Sequence, residues 1–384
     1  MALENKTRLH SCKRWLGWWL VVAVAALTTV YGFAQEPDKG ATTTLHRESV
    51  KTKADADAQK FKTREGRLQA KPLDWNATIG KPTPHKVSPA EEEQARKREP
   101  KSAAGGVRDP NAKREAQRLH PEDWERINAA GAGHTMGMLR EGLDGKLVRT
   151  AGSPDVFTQY CESCPNVNPD APSAAIGKLF NNEGTCTASV ISGNNVIVTA
   201  GHCCWDRANN NWIGGWSFSP AYDNGSAPFG TFDWSGATVL NSWINNGDIP
   251  SDICLINLQN DSAGHGVAYY TGWLGRAWDW GSDQELHSLG YPGNLGNAQS
   301  LELCTAESFS PDSSCGGSGV LNMGCSMTFG SSGGPWVMSY RGGDWVDATV
   351  HGYVSGCTGT FGKTFNGPRF TSSNIVALCS AAGC

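Results

Sequence analysis

From about residue 152 onward, apolar residues come in short runs punctuated roughly every ten positions by Gly, Asn, Asp or Ser, and helical spacing is scarce. That texture predicts an all-β sandwich or barrel. TASVIS (187–192) and NNVIVTA (194–200) read as paired strands across the 193–195 turn, DICLINL (252–258) as a mostly apolar central strand, and PWVMSY (335–340) as a further strand. A short helix is predicted near the end, over SSNIVALCSA (372–381).

Residues 35–150 have a different pattern. They are charged, poor in large apolar side chains, broken by Lys-Pro and Gly-Gly steps, and carry the block EEEQARKREPK. Such a stretch buries too little apolar surface to offset its chain entropy and is expected to be largely disordered. Within it, good helix formers between Asn111 and Ala129, interrupted by Pro121, predict a short helical segment. Ahead of it, Lys6, Arg8, Lys13 and Arg14 lead into an uncharged run from Trp15 to Ala34 with small residues at Gly32 and Ala34. This is the layout of a secretory signal over 1–34, cleaved after Ala34. The uncharged run is 20 residues, about the length a bilayer requires, so a retained membrane anchor is the alternative.

Charge and cysteine sharpen that division. Residues 35–150 hold 23 Lys+Arg against 18 Asp+Glu, net +5, and no cysteine; residues 151–384 hold 6 against 18, net −12, with twelve of the thirteen cysteines. The formal charge of −4 therefore hides two oppositely charged parts. The acidic part argues against a nucleic-acid partner, which requires a basic face. Loss of the signal removes Cys12 and leaves an even twelve, which in an exported chain reads as a disulfide set. Cys161 and Cys164 form a CxxC without a second ligand pair at zinc spacing, so a disulfide strap is expected there. The vicinal Cys203 and Cys204 are expected to bond to different partners.

Candidate chemistry lies in two segments 130 residues apart: TAGHC, holding His202, and GSSGGP, holding Ser332. A serine nucleophile needs a base near neutral pH, which histidine supplies. Glycines around Ser332 let the backbone bend tightly and aim N–H groups at a developing oxyanion. A Gly-Ser linker would not run directly into the apolar 335–338.

CTASVISGNNVIVTAGHC, SDICLI, GWLG, GYPG and GSSGGPW, in that chain order, resemble the chymotrypsin-like (trypsin-fold) serine peptidases, in particular the secreted bacterial and fungal branch related to the glutamyl endopeptidases. The resemblance runs from about residue 175 to the C-terminus. It implies two packed six-stranded antiparallel β-barrels with the site between them, His202 as general base, Ser332 as nucleophile, and the Gly330 and Ser332 N–H groups as the oxyanion hole. Asp252, 50 residues after His202, fits the carboxylate that orients the imidazole; Asp248 is the alternative. Ser331 is the rival nucleophile, but the family pattern puts the reactive hydroxyl directly before Gly-Gly-Pro. The family also pairs Cys186 with Cys203 and aligns substrate along Ser355 and Gly356. Ser331 stands where animal trypsins carry the aspartate that receives the new N-terminal ammonium, so that latch is not expected here. Glutamyl endopeptidases use a pocket histidine; His351 is nearby, yet the alignment puts Val354 at that position.

The expected protein is thus a secreted, extracellular, monomeric serine endopeptidase acting on proteins or peptides. Its organisation is a signal (1–34), a basic propeptide (35–150, with Arg140 and Arg149 as candidate processing points) that lies on the acidic domain, and a peptidase domain (151–384). The chemistry needs no cofactor and no metal. A membrane association is expected only if the signal is retained. A non-catalytic binding protein on the same fold is one rival; an esterase-type acyl hydrolase is the other, opposed by the early histidine and the absence of Gly-x-Ser-x-Gly.

Overall fold

The hairpin expected across 193–195 is the first element of the architecture. Thr185–Ser192 and Val196–Thr199 pair antiparallel, with Ser189 opposite Val198, and Asn195 turns the chain at φ 59°, a left-handed conformation that asparagine tolerates. Both strands are buried at every residue. Their outer face is covered as well, since Thr187 Oγ1 donates to Gly330 O (2.9 Å) and Leu274 N to Val190 O (2.9 Å).

The computed structural model describes residues 43–46, 58–79, 88–129, 157–164, 167–170, 172–311, 317–352 and 364–384, all within one compact unit, Pro37–Cys384. The signal expected at 1–34, the processing points Arg140 and Arg149, and Val354, Ser355 and Gly356 lie outside the described residues.

Six antiparallel strands close the first barrel in the order Phe232–Leu240, Cys254–Leu258, Val196–Thr199, Thr185–Ser192, Ile176–Phe180 and Ser217–Pro220. The ring closes where Phe232 pairs with Phe218. A second set runs Thr364–Pro368, Val320–Gly324, Glu302–Phe309, Glu285–Gly290, Pro335–Met338 and Trp345–Thr349, its ends brought together by isolated bridges at Ala348–Arg369 and Gly352–Asn366. One pairing departs from the antiparallel expectation: Gly275–Trp278 runs parallel to Trp345–Thr349 outside this second barrel. The late helix is Ala377–Ala382, tied by Cys379–Cys384 and docked on the first barrel through Asn257 Nδ2 to Ala382 O (2.8 Å).

The described part of 35–150 packs on the first barrel. It carries the helices Arg64–Gln69, Trp75–Ile79, Pro89–Lys97, Ala112–Leu119 and Pro121–Ala129. Pro121 splits the predicted helical segment into two, opening the second at a position where a missing N–H costs nothing. The reason for order lies in a few apolar side chains that find partners on the barrel rather than on each other. Phe61 stacks on Phe180 (4.7 Å between centroids), and Trp124 meets Phe229 edge-on while its Nε1 donates to Pro228 O. Phe61, Leu73, Trp124 and Ile127 join the main core, each such side chain contributing about 1.5–3 kcal/mol. Basic residues of this segment meet carboxylates of the acidic part: Lys62 with Asp233 (3.0 Å), Lys113 with Asp170 (2.8 Å), Arg108 with the same Asp170, and Arg98 with Asp279 (3.8 Å).

Candidate active site

His202 sits in the single turn Gly201–Cys203 that follows the Val196–Thr199 strand. Two disulfides fix that turn from opposite sides. Cys186–Cys203 ties it to the Thr185–Ser192 strand, and Cys204–Cys254 ties it to the strand that begins two residues after Asp252. Asp252 ends the Ile249–Ser251 turn and approaches His202 twice: Oδ1 accepts from the His202 backbone N–H (2.7 Å) and Oδ2 lies 2.8 Å from Nδ1. Gly201 is what admits it, since a Cβ there would lie 2.9 Å from Asp252 Oδ1 and from Trp243 Cδ1. Asp248 is placed differently, its Oδ2 accepting from Asn246 Nδ2 (3.4 Å).

Ser332 comes from the second barrel, on the turn between Gly330 (φ 94°) and Gly333 (φ 77°). Both positive φ values favour glycine. The turn is pressed against the histidine side of the molecule: a Cβ on Gly333 would lie 2.0 Å from Thr199 Oγ1 and 2.5 Å from Ala200 N. Ser332 O accepts from Thr187 N (2.8 Å) and lies 3.9 Å from Cys203 Sγ. The Gly330 and Ser332 N–H groups donate no hydrogen bond among the described residues, and Ser332 Oγ is buried without one. Ser331 Oγ, in contrast, is engaged with Thr328 O (2.7 Å).

Sequence reasoning missed the carboxylate's second partner. His351 follows the Trp345–Thr349 strand, and its Nδ1 lies 2.5 Å from Asp252 Oδ2. Its ring stands edge-on to those of His202 (5.6 Å) and Trp243 (6.1 Å). Burial by itself raises the Asp252 carboxyl, but the two imidazoles and their hydrogen bonds outweigh it and hold the group below the usual carboxylate range. His202, Asp252 and His351 also form a group whose nitrogen and oxygen donors lie within 4.8 Å of one another, close enough for a metal ion.

A sequence profile of the Trypsin family matches residues 169–366, just over half of the chain. The chain belongs to the trypsin family. Its two-barrel architecture is the trypsin fold. It is similar to protease Anisep from Arthrobacter nicotinovorans (25% identity, 56% of this chain and 98% of that one, TM-score 0.49) and to a thermostable serine protease, AL20, from an extremophilic microorganism (28% identity, 56% and 99%, TM-score 0.49). A Glu endopeptidase in complex with MPD matches at 17% identity over 56% and 93%, TM-score 0.47. No curated protein matches the chain.

In this trypsin-family chain the site is closed. His202, Asp252 and Ser332 are all 0% exposed. Part of the cover is the N-terminal segment itself. Pro72 lies against the Ser332 turn, 3.2 Å from where a Cβ on Gly330 would stand, and Leu73 N donates to Thr185 O (2.9 Å). The chain then passes to the histidine side, where Ile79 packs with Trp243 and Arg207 holds Thr78 O and Ile79 O (2.9 and 2.7 Å). No helix among the described residues is long and apolar enough to cross a membrane.

Proposed function

We propose that this chain is the precursor of a secreted serine endopeptidase. The observation that carries the reading is the fully buried Asp252 on His202 Nδ1, with the glycine-framed Ser332 turn packed against the strand that leads to His202. With its Nδ1–H hydrogen-bonded to ionised Asp252, His202 presents Nε2 as the base for the Ser332 hydroxyl. Ser332 Oγ attacks the peptide carbonyl, the oxyanion is received by the Gly330 and Ser332 N–H groups, and His202 passes the proton to the leaving amine. Water, activated by the same base, then hydrolyses the acyl-enzyme and regenerates Ser332. The chemistry acts on a monomer and requires no added cofactor.

Residues 35–150 serve, on this reading, as a propeptide that keeps the enzyme silent. The strap 72–79 is its working part, since it rests on the oxyanion turn at one end and on Trp243 beside His202 at the other. Export through the 1–34 signal, and processing near Arg140 or Arg149, complete the scheme, and the five disulfides of the described residues suit an oxidising compartment. Substrate is expected to extend along Ser355 and Gly356 once the strap leaves.

The test is cleavage of a diverse peptide library by secreted, processed protein beside Ser332→Ala, read by mass spectrometry. Internal cuts that vanish in the variant support an endopeptidase; turnover of short esters with no peptide cut points instead to an acyl hydrolase. The unprocessed chain should cleave at least about a hundredfold more slowly, and Leu73→Asp in that chain should recover part of the difference.

A further inference from the structure

The peptidase reading leaves a buried imidazole beside Asp252 without a task. His351 is 2% exposed and belongs to the nucleophile's barrel: the residue before it, Val350, exchanges hydrogen bonds with Gly333 and Gly334 (2.8 and 2.9 Å), and its own N–H donates to Asn366 O (2.9 Å). Its ring nevertheless reaches the carboxylate of the other barrel.

The protons that face that carboxylate follow from its chemistry. An ionised carboxylate only accepts, so both imidazoles that meet Asp252 Oδ2 do so with a proton on Nδ1. For His202 this is the tautomer a general base needs. For His351 it leaves only a lone pair at Nε2 while the ring is neutral, which cannot donate to an acidic substrate side chain. The geometry makes His351 the third N–H donor to a fully buried carboxylate.

We propose that His351 is a positioning residue, whose Nδ1–H holds Asp252 ionised and aimed at His202. This rests on the peptidase reading. Three N–H bonds, from His202 N, His202 Nδ1 and His351 Nδ1 (2.7, 2.8 and 2.5 Å), offset the desolvation of Asp252. Remove the third, and Oδ2 is free to turn away or take up a proton, which weakens catalysis without touching the substrate.

Processed His351→Ala should lose roughly ten- to a hundredfold in kcat with KM within about twofold, and His351→Asn, which offers an amide N–H in the same place, should recover most of the loss. A loss that falls on KM or on the preference for the residue before the scissile bond would overturn the proposal and make His351 a pocket residue; so would an equal kcat loss in both variants. A readout independent of turnover is the proton NMR spectrum of processed Ser332→Ala, where two far-downfield N–H resonances are expected and His351→Asn should remove one. A single downfield resonance, unchanged by His351→Asn, would also overturn it. Wild-type protein with no Ser332-dependent cleavage, yet with both resonances, would sink the peptidase reading and leave the His351–Asp252 bond standing.

Discussion

The two barrels bring their residues to the site by different physical means. The first fixes His202 and Asp252 covalently, with Cys186–Cys203 on one side of the histidine turn and Cys204–Cys254 joining that turn to the aspartate's strand. The second sets Ser332 on a turn whose Gly330 and Gly333 lie in the left-handed region, with Ser332 O held by Thr187 N and the Cys304–Cys325 disulfide closing the chain ahead of it. A side chain that must keep one orientation gains from staples. A loop that must present bare N–H groups to a developing charge gains from residues without a Cβ. The comparison implies that the second barrel is damaged by adding a single methyl group, whereas the first is damaged by cutting a cross-link.

The largest effects should come from the residues themselves. Ser332→Ala in processed protein should reduce kcat on the order of a million-fold. Asp252→Asn should cost on the order of ten-thousandfold, because the amide favours the wrong His202 tautomer; both are read by steady-state kinetics on a peptide found in the library experiment. Gly330→Ala tests the second barrel's device. Its Cβ would lie 2.5 Å from Tyr291 O at a φ of 94°, so a rate loss of at least about a hundredfold is expected with most of the fold intact. Wild-type activity in that variant would show that the turn is not needed to aim the donors.

For the first barrel, Cys204→Ser with Cys254→Ser opens a link between residues 50 apart. It should lower stability by about 4 kcal/mol on the chain-entropy account, measured by urea unfolding, and activity should fall with it as His202 and Asp252 lose register. The smallest effect concerns Lys178, buried in the first barrel with its Nζ donating to Ala298 O (2.8 Å) over the Tyr222 ring. Burial pushes its ammonium from 10.5 to about 7. The unfolded chain then binds more protons than the folded one between those values, so stability should rise with pH across that window, with a slope of up to about 1.4 kcal/mol per pH unit. Lys178→Met should lack that slope, and parallel curves for the two proteins from pH 7 to 9 would contradict the assignment.

The sequence made some of this legible and hid the rest for physical reasons. The Thr185–Ser192 and Val196–Thr199 strands announce themselves because a tight Asn-containing turn separates two apolar runs, and the chain order of His202, Asp252 and Ser332 is a local property of motifs. The helical segment 111–129 is legible in its helix formers, but the helices Arg64–Gln69, Trp75–Ile79 and Pro89–Lys97 are not, because apolar residues such as Phe61 and Leu73 are sparse in sequence and bury against the barrel instead of one another. For Cys204–Cys254 the sequence offers an even cysteine count and a vicinal pair that must take different partners, but not the partner itself. His351 lay in view of the alignment, but nothing local to 350–352 reveals that a strand end from one barrel delivers its ring to a carboxylate on the other.

Catalysis by this chain requires Ser332 to be a nucleophile activated by His202. The direct measurement is labelling of secreted, processed protein with a fluorophosphonate, mapped to the residue by peptide mass spectrometry. The modification should fall on Ser332, disappear in His202→Ala, and be far slower in the unprocessed chain. Folded, processed protein that remains unlabelled, or that carries the label on Ser331, would contradict it.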